Sequence, residues 1–192
     1  MKIKNTHPGE TLQPSSPILK IMTEFNHLKN LYRQGWLKRH ISRDKCESVA
    51  DHSFSVALLA MFLAEDRFPR LDLLTVLRMA LIHEAGEIHA GDITPVDGVS
   101  HEEKHRREKE SVLKVFDRLP QAERYIELWE EFELNQSPEA RLVRQADRLE
   151  MLLQAKYYEK LGYWNFSEFF RNTDALIESP ILRPIFEELQ LL

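Results

Sequence analysis

Residues 80–95 read ALIHEAGEIHAGDITP. The stretch opens on an apolar row, Leu77, Ala80 and Leu81 at helical spacing, and then crowds His83, Glu84, Glu87 and His89 together before Gly91 ends the pattern. On a helix turning about 100° per residue, Glu87 sits one turn beyond His83 and Glu84, so the three side chains share a sector. An imidazole and two carboxylates on one sector have the donor chemistry of a divalent-metal site. The same residues suit an ordinary amphipathic helix with a packed histidine and solvated glutamates, so the choice turns on whether further ligands lie elsewhere.

Upstream, residues 47–67 place Val49, Phe54, Val56, Ala57, Leu58, Ala60, Met61 and Leu63 around most of a helix circumference. That predicts a central, buried helix with His52 in its first turns. Before it, Ser16-Pro17 is a helix start, and the apolar spacing from Ile18 to Tyr32 predicts a first helix over residues 17–35. Residues 36–46 carry Lys38, Arg39, His40, Arg43 and Lys45 without apolar periodicity, which predicts a connecting loop, either solvated or an anion-binding rim. Downstream, DITPVDGVS has the Pro, Gly and Asp density of a loop over the charged helix end. Ser100 with Glu103 matches a capping box, and His101 and His105 fall in the charged first turns of the helix it opens, where a solvated face is expected. A further helix follows Pro120 and ends near Asn135. Ser137-Pro138 then starts a long amphipathic helix to about Leu161. Asp147 adjoins its apolar stripe and needs a cation or hydrogen-bond donors there, with Arg144 and Arg148 in reach.

Strand-like alternation is absent from the pattern, and the expected fold is all-α, a single-domain helical bundle over residues 17–192 behind a flexible arm over 1–16. The net charge of −5 is spread without a basic stripe, and no apolar run approaches the roughly 20 residues that span a bilayer. Neither nucleic acid nor membrane is an expected partner. Cys46 is the only cysteine, which excludes an intramolecular disulfide and a cysteine zinc cluster and favours the cytoplasm. The aromatic patch Tyr163, Trp164, Phe166, Phe169 and Phe170, with Ile181, Leu182 and the residues from Leu189 to Leu192, exceeds what a small helical core obviously needs; a homodimer or larger assembly is expected.

Acid and imidazole residues on the buried helices fall in the order His52, His83-Glu84, Asp147. This order, with the segments RQGW (33–36), ESVADHSFSVALLAM (47–61), LIHEAGEIHAGDITP (81–95), EEKHRREKE (102–110), ELWEEFE (127–133) and QADRLEMLLQA (145–155), resembles the HD superfamily of metal-dependent phosphohydrolases and, within it, the five prime deoxynucleotidase branch. The resemblance implies an HD-type helical bundle that removes the five prime phosphate from (deoxy)nucleoside monophosphates with a divalent metal ion (Mn, Co, Ni, Fe, Zn or Mg). It implies His52, His83, Glu84 and Asp147 as metal ligands, and Glu87 and Asp92 as the acids that handle water and protons. Asp92, Ile93, Thr94 and Pro95 match the loop lining the nucleotide pocket, and Arg33 and Trp36 match the phosphate and substrate contacts. Two departures stand out. The doublet is His-Glu where the family has His-Asp, and the basic loop after Trp36 is longer, which brings Arg39 and Arg43 forward as alternatives to Arg33. The competing readings are hydrolysis of another phosphoester or signalling nucleotide, and a non-catalytic nucleotide-binding or sensing protein.

Overall fold

The computed structural model describes residues 14–192, so positions 1–13 of the expected arm lie outside the described residues. These form helices α1 (Pro17–Phe25), α2 (Gln34–Leu37), α3 (Val49–Arg67), α4 (Leu73–Ile82), α5 (Glu87–Ala90), α6 (His101–Phe116), α7 (Ala122–Leu134), α8 (Pro138–Lys160), α9 (Ser167–Asp174) and α10 (Arg183–Leu191). Among the described residues there is no strand, only an isolated antiparallel bridge between Tyr32 and Ser48. The fold is all-α.

Local chemistry fixes the helix starts. The Ser48 hydroxyl accepts from the Asp51 N–H at 3.1 Å while the Asp51 carboxylate accepts from the Ser48 N–H at 2.9 Å, a reciprocal cap that sets the start of α3 and hence the height of His52. Ser137 caps α8 at the Ala140 N–H, as its position before Pro138 predicts. Ser16 precedes Pro17 at the start of α1 but makes no side-chain cap. Ser100 accepts from the Glu103 N–H, yet Glu103 turns away to Arg106 and Arg107, so only half of that expected box forms.

Helices α3, α4 and α8 pack on one another around Val49, Val56, Ala60, Val76, Met79, Ala80, Val143, Ala146 and Leu149, with Phe116, Trp129 and Phe132 closing the core from α6 and α7. A smaller apolar cluster of Trp36, Ile41, Cys46, Tyr158 and Phe166 lies behind α2. Several expectations change here. The first helix ends at Phe25 in a 3-10 turn, Asn26–Lys29, instead of running to residue 35. Residues 36–46 are not a purely solvated loop, because Trp36, Ile41 and Cys46 are core side chains interleaved with its cations. Helix α3 is buried along one side only: Phe54, Leu58 and Phe62 form an exposed row at i, i+4, i+8 on which none of the described elements packs.

The largest revision concerns the helix expected from the Leu77 row through Glu87 to Gly91. The expected single helix is broken after Ile82, residues 83–86 form tight turns, and α5 starts anew at Glu87. Gly86 keeps helical dihedrals but admits α6 at this point, since a Cβ there would stand 2.7 Å from the Cβ of Glu108 on α6. The chain turns at the one residue that lets α6 approach its backbone. At the other end, Phe166, Phe170, Leu182, Phe186 and Leu189 fold back as core, while Trp164, Ile181, Leu191 and Leu192 stay exposed. Most of the C-terminal apolar surface is therefore consumed within the chain.

Candidate active site

A cleft of about 670 Å³ opens between the C-terminal end of α4, the middle of α8, α2 and residues 92–96. Three elements deliver the expected ligands to one wall. His52, from the second turn of α3, is fully buried, with its Nε2 3.1 Å from Asp147 Oδ1 on α8 and 3.7 Å from Glu84 Oε1. His83 caps the end of α4, and its Nδ1 sits 2.7 Å from the Ala80 carbonyl, which fixes that nitrogen as the N–H. Its Nε2 is thereby left with a lone pair, buried, without a hydrogen-bond partner and 3.6 Å from Glu84 Oε1. His52, His83 and Glu84 offer ligand atoms that all lie within 4.8 Å of one another, and Asp147 joins them through His52.

Such an orphaned imidazole nitrogen facing a carboxylate and a second imidazole is the donor set of a divalent-metal site. The residues fit the ion. The helix break does not undo the convergence, although its cause differs from the expected shared sector: tight turns, not i, i+4 spacing, bring Glu84 and Glu87 under His83. His89 leaves the cluster and pairs with Glu24 at 3.2 Å.

The electrostatics separate the carboxylates into two kinds. Burial would raise the Glu84 and Asp147 carboxyls, but the histidines and Arg33 outweigh it and hold both below the usual range. Burial, followed by repulsion from Glu84 and Asp92, pushes Glu87 well above its ordinary value, and its Oε2 has no hydrogen-bond partner. Burial and Arg33 oppose a charge on His52, yet the hydrogen bonds to Asp147 and Glu150 prevail and push it up to about 10. The two arginines in reach on the same helix do not partner Asp147: Arg144 turns to the Phe132 carbonyl and Glu133, and Arg148 to the Leu176 carbonyl.

The opposite wall is built from short elements. Arg33, just before α2, reaches Glu84 Oε1 at 3.1 Å and Asp92 Oδ1 at 4.0 Å. The Gln34 backbone N–H donates to Asp92, and Lys38 Nζ bridges Thr94 at 2.7 Å and Asp97 at 2.6 Å, so α2 and residues 92–97 are clasped together. Ile93, Thr94 and Pro95 line the cleft beside them. Trp36 lines it too, but only by an edge: it is buried, stacked on Phe169 at 5.1 Å, with its indole N–H donated to Glu47 at 2.6 Å. Arg39 also reaches the cleft and is spent on Glu168 and the Phe169 ring, whereas Arg43 lies over Tyr32 and does not line it.

Some residues of the site had no role expected from the sequence. His105, expected to be solvated, stacks on Trp129 and lines the cleft with Lys104 and Glu108. Burial pushes the Glu108 carboxyl up to about 7. Glu150 and Glu47 stand behind His52. The available signal was spacing, because Glu150 follows Asp147 at i, i+3 on the same helix and so points toward the same neighbour.

Comparison with known proteins agrees with this geometry. The family model described as HD domain matches residues 25–190. A human protein named 5'-deoxynucleotidase HDDC2 is 37% identical over 177 residues, covering 90% of this chain and 84% of that protein. Among solved structures, a conserved hypothetical protein from Pyrococcus furiosus superposes with a TM-score of 0.78 at 31% identity, covering 91% of this chain and 99% of that one. A predicted metal-dependent phosphohydrolase from Magnetospirillum magnetotacticum does so at 0.68 and 28% identity, covering 90% and 89%.

Proposed function

The chain belongs to the HD domain family, and from that premise we propose that it is a metal-dependent phosphohydrolase removing the five prime phosphate from nucleoside monophosphates, deoxy forms included. The observation that carries the reading is the buried convergence of His83 Nε2, His52 Nε2, Glu84 and Asp147 at a cleft large enough for a mononucleotide. The curated relatives named 5'-deoxynucleotidase, matched over most of their length, support the substrate class. The four residues would hold one divalent ion, with Mn, Co, Ni, Fe, Zn and Mg all compatible with an N/O donor set. When bound, the ion supplies Lewis-acid polarisation of the phosphoryl group and an acidified water.

The chain's own groups do the rest. Arg33, cationic and reaching into the cleft between Glu84 and Asp92, binds the phosphate oxygens; Arg39 and Arg43 are occupied elsewhere. Glu87, held toward its neutral form, moves the proton at Oε2, with Asp92 as the second acid of the proton path. Residues 92–95 and the Trp36 edge orient sugar and base and exclude water. The longer Glu84 side chain places Oε1 almost equidistant from the two imidazole Nε2 atoms, which supports a working pocket adapted to glutamate over a sensing protein.

We also propose one domain over residues 17–192 with 1–16 as an arm, a cytoplasmic setting, supported by the single unpaired Cys46, and association of two copies, supported by the exposed α3 row. No helix among the described residues is long and apolar enough to cross a membrane. Light scattering at micromolar concentration gives more than the 22.7 kDa of one chain if copies associate. The activity is tested by phosphate release from ribo- and deoxynucleoside monophosphates with Mn, Co or Mg. Metal-dependent release that chelation abolishes is expected; binding of the nucleotide without release under any metal would replace the reading with a sensing role.

A further inference from the structure

Behind the candidate metal wall lies a second layer of carboxylates that the proposed reaction does not use. His52 presents both ring nitrogens to acids: Nε2 toward Asp147 and Glu84 on the cleft side, and Nδ1 toward Glu150 Oε2 at 2.6 Å on the far side. Glu150 is buried and does not line the cleft, so it cannot touch a substrate. Glu47 stands beside it, its carboxylate within 4.8 Å of both the His52 ring and Glu150. The other face of Glu47 accepts the Trp36 indole N–H at 2.6 Å, and its backbone N–H donates to the Tyr158 hydroxyl, which in turn donates to the Lys45 carbonyl. Glu150 is therefore buried against a candidate ligand, and the partly buried Glu47 is held against the tryptophan that edges the cleft.

Burying a carboxylate is costly unless donors compensate it, and the His52 Nδ1–H and the Trp36 N–H supply them to Glu150 and Glu47. A neutral imidazole carries one N–H. With Nδ1 donating to Glu150, Nε2 is aimed at Asp147 and Glu84, and a cation bound between them would take the place of the Nε2 proton. A histidine whose far nitrogen donates to a carboxylate is also a more basic ligand, and loss of such a partner typically weakens metal affinity about 10- to 100-fold. His83 has the weaker version of the same device, a backbone carbonyl at Nδ1. The two imidazoles are thus unequal, and His52 has the charged support.

We propose that Glu150 is a positioning residue that fixes the aim of His52 for a divalent cation, and that Glu47 links this support to Trp36, so that metal affinity and the substrate edge of the cleft depend on one carboxylate pair. The proposal rests on the reading of His52 as a metal ligand. It assigns no contact with substrate to either glutamate.

The test is a Co²⁺ titration of the chelator-treated full chain, unaltered and as Glu150→Gln, Glu150→Ala and Glu47→Gln, together with ¹⁵N NMR of the histidine rings and circular dichroism. Glu150→Ala should weaken Co²⁺ binding about 10- to 100-fold. Glu150→Gln keeps an acceptor but no charge and should lose less while keeping the Nδ1–H tautomer of His52. Glu47→Gln should change Co²⁺ affinity less than Glu150→Ala and raise KM more than it lowers kcat. If Glu150→Ala does not fold, the nearly isosteric Glu150→Gln still decides, through a measurable loss of Co²⁺ affinity at an unchanged helical spectrum. Co²⁺ affinity identical to the unaltered chain in both Glu150 variants would overturn the proposal while leaving the enzymatic reading in place. An unaltered chain that binds no Co²⁺ would overturn both.

Discussion

The two walls of the cleft are built by opposite means. One wall comes from α3 and α8, helices of 19 and 23 residues whose packing in the core fixes His52, Asp147 and Glu150 without recourse to surface contacts. The other comes from a four-residue helix, α2, and the irregular residues 92–97, joined by Lys38 to Asp97 and Thr94 and by the Gln34 N–H to Asp92. Buried helices hold a geometry at low cost in entropy, because packing has already fixed their backbone; a polar clasp at the surface competes with water and salt. A metal demands fixed ligand positions, whereas a substrate must enter and leave. The division of labour follows from those two demands.

Glu87 sits between the walls and gives the comparison its sharpest test. Glu87→Ala should lower kcat about 10²- to 10⁴-fold with metal content and helical spectrum unchanged, since the residue moves a proton and does not hold the ion. Loss of less than threefold, measured as phosphate release under saturating metal, would remove it from the mechanism. Arg107→Ala, exposed and outside the cleft lining, serves as the control on the charged helix and should leave kcat nearly unaltered.

A smaller effect is expected on the clasped wall. Arg33→Ala removes charge-assisted hydrogen bonds to phosphate and should lower kcat/KM about 10- to 100-fold, while Arg43→Ala, whose guanidinium rests on Tyr32, should change it by less than about twofold. Equal losses for the two would mean that the basic segment acts as a diffuse rim and not through one arginine. Smaller still is the clasp itself: Lys38→Ala breaks partly exposed contacts worth about 0–1 kcal/mol, so KM should rise at most about fivefold with kcat within twofold. A large fall in kcat instead would show that residues 92–97 are as rigidly positioned as the helical wall.

The same contrast governs how much could be read from the amino-acid sequence. Helices α3, α4 and α8 and the convergence of His52, His83, Glu84 and Asp147 were legible because apolar periodicity places the helices and the family resemblance picks out the four residues proposed as ligands. The break at residues 83–86 was not, and neither was the approach of α6 there: Gly86 faces Glu108, more than twenty residues away, and local spacing carries no trace of it. Nor was the partition of the C-terminal aromatics between core and surface, which depends on α9 and α10 folding back onto α8. The basic segment misled for a related reason: Trp36, Ile41 and Cys46 lack helical period, yet each is buried by its own turn against Tyr158 and Phe166. Asp147 was flagged correctly as a carboxylate in need of a partner, but the partner is His52 on another helix, not an arginine on its own.

The claim beneath all of this is that the buried wall is a metal centre. Calorimetric titration of the chelator-treated chain with Mn²⁺ or Co²⁺ measures it directly, alongside His52→Ala and Asp147→Ala variants shown by circular dichroism to be folded. The account predicts one tightly held ion per chain in the unaltered protein and its loss in both variants. Full occupancy retained by His52→Ala and by Asp147→Ala would contradict it.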